Sequence, residues 1–242
     1  MKKLFLIIAY CLLLTAYCFP QGKGWWWKND DSNTNAIDTS SLSGQLFVIA
    51  SQNYIEVNIP EQTDYSVSVW LRIPALPQTN YNITGGATAK GLRFFSLGGF
   101  DSKLTLAAYQ GSWIYTDIEF GDYKWRYCTI TYESTTDSVK LYIDGIFKTK
   151  AQTTDGGYQG GAIQRIGAAD AGIGDRYFGG NLANVAVWSR ALTISEIQSI
   201  MNKQYEGLST SQKNGLLAWW ALDDISGAAV PDKTGNYNGI WH

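Results

Sequence analysis

Between Tyr65 and Ile73 the chain alternates strictly, with Tyr65, Val67, Val69, Leu71 and Ile73 interleaved with Ser66, Ser68, Trp70 and Arg72. Successive side chains on a β-strand point to opposite faces of a sheet, so a period of two marks a strand whose two faces differ. Runs of the same kind recur between Gly, Pro, Asn and Asp clusters at residues 47–50, 54–57, 92–97, 103–109, 112–120, 125–132, 139–143, 162–167 and 182–188. About ten short strands with turn signals at this spacing predict an all-β protein, a two-sheet antiparallel β-sandwich of the jelly-roll kind. Leu216 to Leu222 and Gly239 to Trp241 read as closing strands, so the strand-forming region is expected to begin and end on strands that pair and leave few open edges.

One helix interrupts the pattern, near 193–206. Thr193 and Glu196 form a capping box, and Leu192 and Ile197 stand where a hydrophobic staple would. Ile197, Ile200, Met201 and Tyr205 supply one apolar face, and Gly207 would stop the helix. About three turns are expected, lying across one edge of the sandwich, with the apolar face used for packing.

The first 18 residues carry Lys2 and Lys3 ahead of an apolar run from Leu4 to Leu14. This is the pattern of a secretory signal peptide, and the run is too short to span a bilayer. Tyr17 argues against lipidation of Cys18. Residues 19–42 form a polar segment interrupted by Trp25, Trp26 and Trp27, whose expected roles are docking on the domain or contact with an assembly partner. Residues 43–242 are the expected sandwich domain, large enough to bury a core without disulfides. Cys128 is the one cysteine in its body and is read as a small buried apolar residue. The formal charge is −2, with no run of Lys or Arg, which excludes nucleic acid as a partner. The 10 Trp and 15 Tyr serve either to fill the core or to stack on flat ligands.

Trp125-Arg-Tyr-Cys-Thr-Ile-Thr-Tyr132 followed by Val139-Lys-Leu-Tyr-Ile-Asp-Gly145 resembles the tryptophan strand and Tyr-x-Asp-Gly hairpin of laminin-G-like and pentraxin-like domains. Asp144-Gly145 is a hairpin dipeptide on physical grounds as well. Arg165-Ile-Gly-Ala168, Phe178-Gly-Gly-Asn-Leu182, Val185-Ala-Val-Trp188, Arg190-Ala-Leu-Thr193, Gly215-Leu-Leu-Ala-Trp-Trp220 and Asp232-Lys-Thr-Gly-Asn236 follow that family's order. The chain therefore resembles the laminin-G-like, concanavalin A-like lectin jelly rolls over about residues 43–242. The resemblance implies a two-sheet sandwich; family members bind glycans, other proteins or calcium, and the fold alone does not choose among these.

No catalytic residue is expected. His242 is the sole histidine, so schemes built on a histidine base or histidine-bound zinc lack their parts. Asp117, Glu119 and Asp122 superficially resemble the acidic signature of β-glucanases, but the order of acids is reversed and Gly121 is expected to end the strand. Calcium, with its demand for six to eight oxygens, is a candidate cofactor at Asp101, Asp170 and Asp175, with Asn181 nearby. Sugar stacking needs an exposed aromatic beside polar groups, and the candidates are Trp113, Tyr115, Tyr158 and Tyr177, the last beside Arg176. Asn82-Ile-Thr84, in a stretch that reads as loop, is an N-glycosylation sequon if the source is a eukaryote. The expected function is a secreted, non-catalytic recognition or adhesion module binding glycan or glycoprotein through loops at the sandwich rim. The alternatives are a structural block of an extracellular coat or matrix acting by protein contacts, and a glycoside hydrolase.

Overall fold

The computed structural model describes residues 45–47, 53–73, 80–85, 95–100, 103–110, 112–120, 123–152, 163–168, 177–223 and 227–242. Residues 45–47, 80–82, 95–100, 103–110 and 112–120 are described by their backbone alone. All of them lie in one compact unit, Ile37–His242; a second unit, Met1–Ala36, is outside the described residues, as is the Trp25 to Trp27 segment.

Among the described residues fifteen strands form two antiparallel sheets, which makes the protein an all-β sandwich of jelly-roll type. The strands are β1 (Gln45–Phe47), β2 (Ile55–Ile59), β3 (Tyr65–Arg72), β4 (Asn80–Gly85), β5 (Phe95–Phe100), β6 (Lys103–Gln110), β7 (Ser112–Phe120) and β8 (Arg126–Glu133). There follow β9 (Ser138–Ile143), β10 (Ile146–Gln152), β11 (Ile163–Ile166), β12 (Gly180–Trp188), β13 (Leu216–Trp220), β14 (Ala229–Val230) and β15 (Gly239–Trp241). The seven-stranded sheet runs β1-β12-β3-β8-β9-β10, with β13 also pairing β12. The eight-stranded sheet runs β14-β15-β2-β11-β4-β5-β6-β7.

The alternation on β3 has the cause expected of it. Tyr65, Val67, Val69 and Leu71 enter the core between the sheets with Ile55, Val57 and Ile59 of β2, Cys128 and Ile130 of β8, and Leu141 of β9. The other face of β3 is buried too, because the helix α1 (Ile194–Ile200) and the turns after it cover the outside of the seven-stranded sheet. Trp70, Tyr127, Tyr142, Trp188 and Trp219 pack there against Leu192, Ile197, Ile200 and Leu208. The helix thus forms a third layer over a sheet face rather than bordering an edge, and β3 is buried almost throughout.

Of the polar side chains on this doubly buried sheet, Ser68 Oγ, Tyr127 Oη and Thr129 Oγ1 have no hydrogen-bond partner among the described residues, whereas Ser66 is bonded twice. Ser66 Oγ donates to Arg190 O at 2.8 Å and accepts from Leu192 N at 2.8 Å, stitching β3 to the entry of α1. Four indoles are almost fully buried and each donates to an oxygen: Trp70 to Met201 O, Trp188 to Gln212 O, Trp219 to Asn184 Oδ1 and Trp220 to Tyr237 O. A buried indole N–H left without an acceptor would cost about 1–3 kcal/mol, so these four bonds permit so aromatic a core.

The capping box at Thr193 and Glu196 is formed, and Leu192 and Ile197 are buried together. The helix is shorter than expected, about two turns, and is followed by a 3-10 turn at Tyr205–Gly207. Trp70 occupies the carbonyl of Met201, the helix C-cap, satisfying a terminal acceptor that further helix would otherwise have used. Asp144 and Gly145 both adopt left-handed backbone, φ 54 and 71, and join β9 to β10 as the hairpin dipeptide predicts. Asp144 Oδ1 accepts from Tyr127 N at 2.8 Å and Oδ2 from Arg126 Nη1 at 3.2 Å. Gln198 Nε2 donates to Gly145 O at 3.0 Å, so the turn docks on the helix.

Three further expectations are corrected. Asn82-Ile-Thr84 is not loop: it lies in β4, between β11 and β5, with Asn82 opposite Ser96. Ile83 is buried, and pairing to non-local neighbours makes a strand of a stretch whose own polarity does not announce one. The strands β10 and β14 fall where no strand is expected, β10 as an edge strand whose polar composition suits that place. The first and last strands do not pair with each other, since β1 joins β12 in one sheet and β15 joins β2 in the other.

Asp232 closes the fold. Its carboxylate accepts from the backbone N–H of Trp219, Thr234, Asn236 and Tyr237, at 2.7, 3.0, 3.1 and 3.0 Å, so a buried charge is fully satisfied and the last turn is held on β13.

Two outcomes follow. Trp188→Ala removes a ring with no exposed surface and is expected to lower stability by about 3–5 kcal/mol in urea unfolding. The Glu196 carboxyl is held down to about 2, from 4.5, chiefly by its hydrogen bond to Arg190. A depressed folded value adds stability above the unfolded value that is lost as pH falls through the folded one. Glu196→Gln should therefore flatten the fall in Tm between about pH 5 and 2 and leave its pH dependence above about pH 6 unchanged.

Candidate functional site

On β2, Ile55, Val57 and Ile59 face the core, which turns Tyr54, Glu56 and Asn58 to the outside of the eight-stranded sheet. Glu56 and Asn58 are exposed there, as is Ile240 at 52%. This face therefore meets solvent, in contrast to the helix-covered face opposite.

The last strand brings further groups to it. Gly239 lets β15 lie close against β2, since a Cβ at that position would sit 2.4 Å from Ile55 Cγ2. Tyr54 and His242 exchange both backbone hydrogen bonds, His242 N to Tyr54 O at 2.9 Å and Tyr54 N to His242 O at 3.1 Å. Their rings consequently stack, with centroids 4.9 Å apart and planes 14° from parallel. His242 Nε2 lies 3.0 Å from Glu56 Oε2. From the other side, β11 places Arg165 opposite Glu56, with its guanidinium carbon 4.4 Å from the Tyr54 ring centroid. Tyr177 forms an isolated bridge to Ala168 just before β12, and its ring centroid is 6.4 Å from that of Tyr54. The result is a row of rings, Tyr177, Tyr54 and His242, beside one carboxylate and one guanidinium.

Of the described residues expected at a ligand site, Tyr177 falls in this row. Trp113 and Tyr115 lie on β7, where their backbones pair with Tyr109 and Ala107. Tyr158, Arg176, Asp101, Asp170 and Asp175 are outside the described residues. Asn181 is buried on β12, and its Oδ1 accepts from Arg72 Nε at 3.3 Å and Nη2 at 3.2 Å. In this arrangement that oxygen is engaged by the Arg72 guanidinium. Among the described residues no group of three or more His, Cys, Asp and Glu side chains is placed to hold a metal ion. Sequence reasoning missed Tyr54, Glu56, Arg165 and His242. Tyr54 and Glu56 carried a signal in the alternation of β2, but their neighbours come from strands more than a hundred residues away.

Of the acids compared with a β-glucanase signature, Asp117 and Glu119 lie on β7 and Asp122 is outside the described residues. The pairing of β6 with β7 shifts register between Thr105–Glu119 and Ala107–Tyr115.

The fold and the aromatic row describe a lectin-like sandwich with an open, polar and aromatic sheet face. The chain belongs to the concanavalin A-like lectin/glucanases superfamily, whose laminin-G family model matches residues 49–198. It is similar in structure to a putative carbohydrate-binding protein from Bacteroides ovatus, with TM-score 0.65 and 20% identity, over 82% of this chain and 57% of that one. The chain thus spans little more than half of that relative's length. It is also similar to the native heptameric SAP-like pentraxin from Limulus polyphemus, with TM-score 0.49, 18% identity, and 62% and 74% of the two chains covered. A third likeness is to domain 4 of an extracellular arabinanase from Geobacillus stearothermophilus, solved with arabinotriose, with TM-score 0.46, 19% identity, and 60% and 71% covered. No curated protein matches the chain in sequence. Among the described residues, no helix is long and apolar enough to cross a membrane.

Cys128 has no solvent exposure, and burial pushes its thiol well up from its ordinary value. A thiol kept protonated is a poor nucleophile. In the native protein Cys128 should resist iodoacetamide and react only after denaturation, as read by peptide mass spectrometry.

Proposed function

We propose that the protein is a non-catalytic glycan-binding module that works outside the cytoplasm, after loss of residues 1–18, and takes its ligand on the outer face of the eight-stranded sheet. The observation that carries this reading is the row Tyr177, Tyr54 and His242 flanked by Glu56 and Arg165. Sugars are recognised by flat rings that meet their C–H faces and by charged groups that bind their hydroxyls, and this row supplies both. The superfamily and the fold shared with a putative carbohydrate-binding protein support the reading. Binding rather than catalysis is favoured because Asp144 and Asp232, two well-buried carboxylates, are taken up by backbone N–H groups and have structural work. In this reading calcium is a second ligand, taken at Asp101, Asp170 and Asp175. A role as a structural block of an extracellular assembly is the competing reading, with the Trp25 to Trp27 segment as its contact.

The test is a glycan array probed with the protein from Gln21 onward, with calcium and again with chelator, followed by titration of the best sugar. Tyr54→Ala removes the ring on which His242 and Arg165 rest, and is expected to weaken binding at least about tenfold, equivalent to about 1.4 kcal/mol, with an unchanged far-UV spectrum. Array silence in both conditions, or undiminished binding by the variant, would move the assignment to the structural role or to another face.

A further inference from the structure

Arg72 ends β3 on the outer side of the seven-stranded sheet, two residues beyond Trp70 and past the cover of the helix. Its guanidinium carbon lies 4.6 Å from the ring centroid of Tyr123 and 5.1 Å from that of Trp125. Both rings come from the short segment leading into β8, and Trp125 also packs against the aromatic cluster beneath the helix. Asn181 is brought to the guanidinium because β12 starts very near the end of β3: a Cβ on Gly180 would sit 2.4 Å from Arg72 O.

Asn181 Oδ1 receives the Nε–H and one N–H of Nη2. A guanidinium has five N–H donors in a flat fork, so the Nη1–Nη2 edge remains, with the geometry that takes a carboxylate through two parallel bonds. Among the described residues no carboxylate pairs with Arg72, whereas Arg126 has Asp144 at 3.2 Å and Arg190 has Glu196 at 2.8 Å. A half-buried positive charge held by rings and one amide, with no anion paired to it among the described residues, is a receptor for one.

Tyr123 is the second observation. It is 48% exposed and sits in left-handed backbone, φ 60, which disfavours a bulky side chain. Folding does not need that cost, since glycine or asparagine would adopt the conformation more cheaply. The strain holds an aromatic ring over the guanidinium, in the manner of residues kept for a ligand.

We propose that Arg72, Tyr123, Trp125 and Asn181 form a binding subsite for an acidic sugar, a uronic acid whose carboxylate pairs with the open edge of Arg72 while its pyranose ring lies along exposed Tyr123. A uronate carries its carboxylate directly on the sugar ring, matching a cationic fork directly beside an aromatic face. This subsite is on the opposite sheet from the Tyr54 row and stands independently of it.

The experiment is calorimetric titration of the full chain with trigalacturonate, with a glucuronate-containing disaccharide, and with the fully methyl-esterified trigalacturonate, which keeps the shape and lacks the charge. Saturable binding of at least one free acid, at least tenfold tighter than any binding of the ester, is expected. Arg72→Lys keeps the charge, loses the fork, and should weaken the acid at least tenfold. Tyr123→Asn should weaken it comparably while thermal melting stays unchanged or rises, which separates loss of ligand contact from loss of fold. Neither variant should alter binding of a neutral glycan at Tyr54, and Tyr54→Ala should leave uronate binding intact. Equal affinity for acid and ester, indifference to both variants, or no saturable binding of either acid would overturn the assignment. Tighter binding of an acetylated glutamyl tripeptide than of any uronate would replace the sugar with a protein carboxylate.

Discussion

Burial of the seven-stranded sheet on both faces is the constraint on which the rest of the structure depends. One face meets the other sheet, and the second is roofed by α1 and the turns that follow it. Doubly buried strands usually read as continuous apolar runs. Here β3 keeps Ser66 and Ser68 and still disappears from solvent. Ser66 shows how a polar residue is kept there, by binding the helix entry at Arg190 and Leu192. The four buried indoles obey the same rule, each reaching an oxygen in the covering layer, a neighbouring strand or the closing turn. The abundance of tryptophan is thus mostly structural among the described residues.

Covering one sheet leaves the two outsides of the sandwich unlike each other. The eight-stranded sheet presents Glu56, Asn58 and Ile240 to water, and at its β2–β15 edge the Tyr54, His242 and Arg165 stack. On the helix-bearing side, Arg72 with its two rings lies two residues beyond Trp70, whose indole binds the helix C-cap. A ligand-binding role therefore has two places available, both at the strand ends where β2 begins and β3 ends. They differ in charge: the first pairs an acid with bases, and the second has a guanidinium without a carboxylate among the described residues.

Much of the architecture was legible in local pattern. The alternation at Tyr65 to Ile73, the Asp144-Gly145 hairpin and the Thr193–Glu196 capping box each follow from interactions within a few residues, and each is present. Where reading failed, the deciding partner was distant. Asn82 to Thr84 became strand through β11 and β5, the helix ended where Trp70, 131 residues away, took its carbonyl, and β10 exists because β9 folds back on it. The candidate site was less legible than the fold. Tyr177 could be singled out as a loop aromatic, but nothing near Tyr54 in sequence signals that β15 and β11 will bring His242 and Arg165 to its ring.

By itself the sequence determined the strand-and-turn rhythm, the all-β class, the capped helix at Thr193, and the lack of the basic runs that nucleic acid would require. These depend on periodicity, turn chemistry and net charge, which act over short distances or over the whole chain at once. The tertiary structure alone decided which sheet face is roofed and which is open, which tyrosines are core, and which guanidinium has no acid paired to it among the described residues. Such outcomes depend on register between strands far apart in the chain, and shifting a pairing by one residue exchanges the inner and outer face of every residue on the strand.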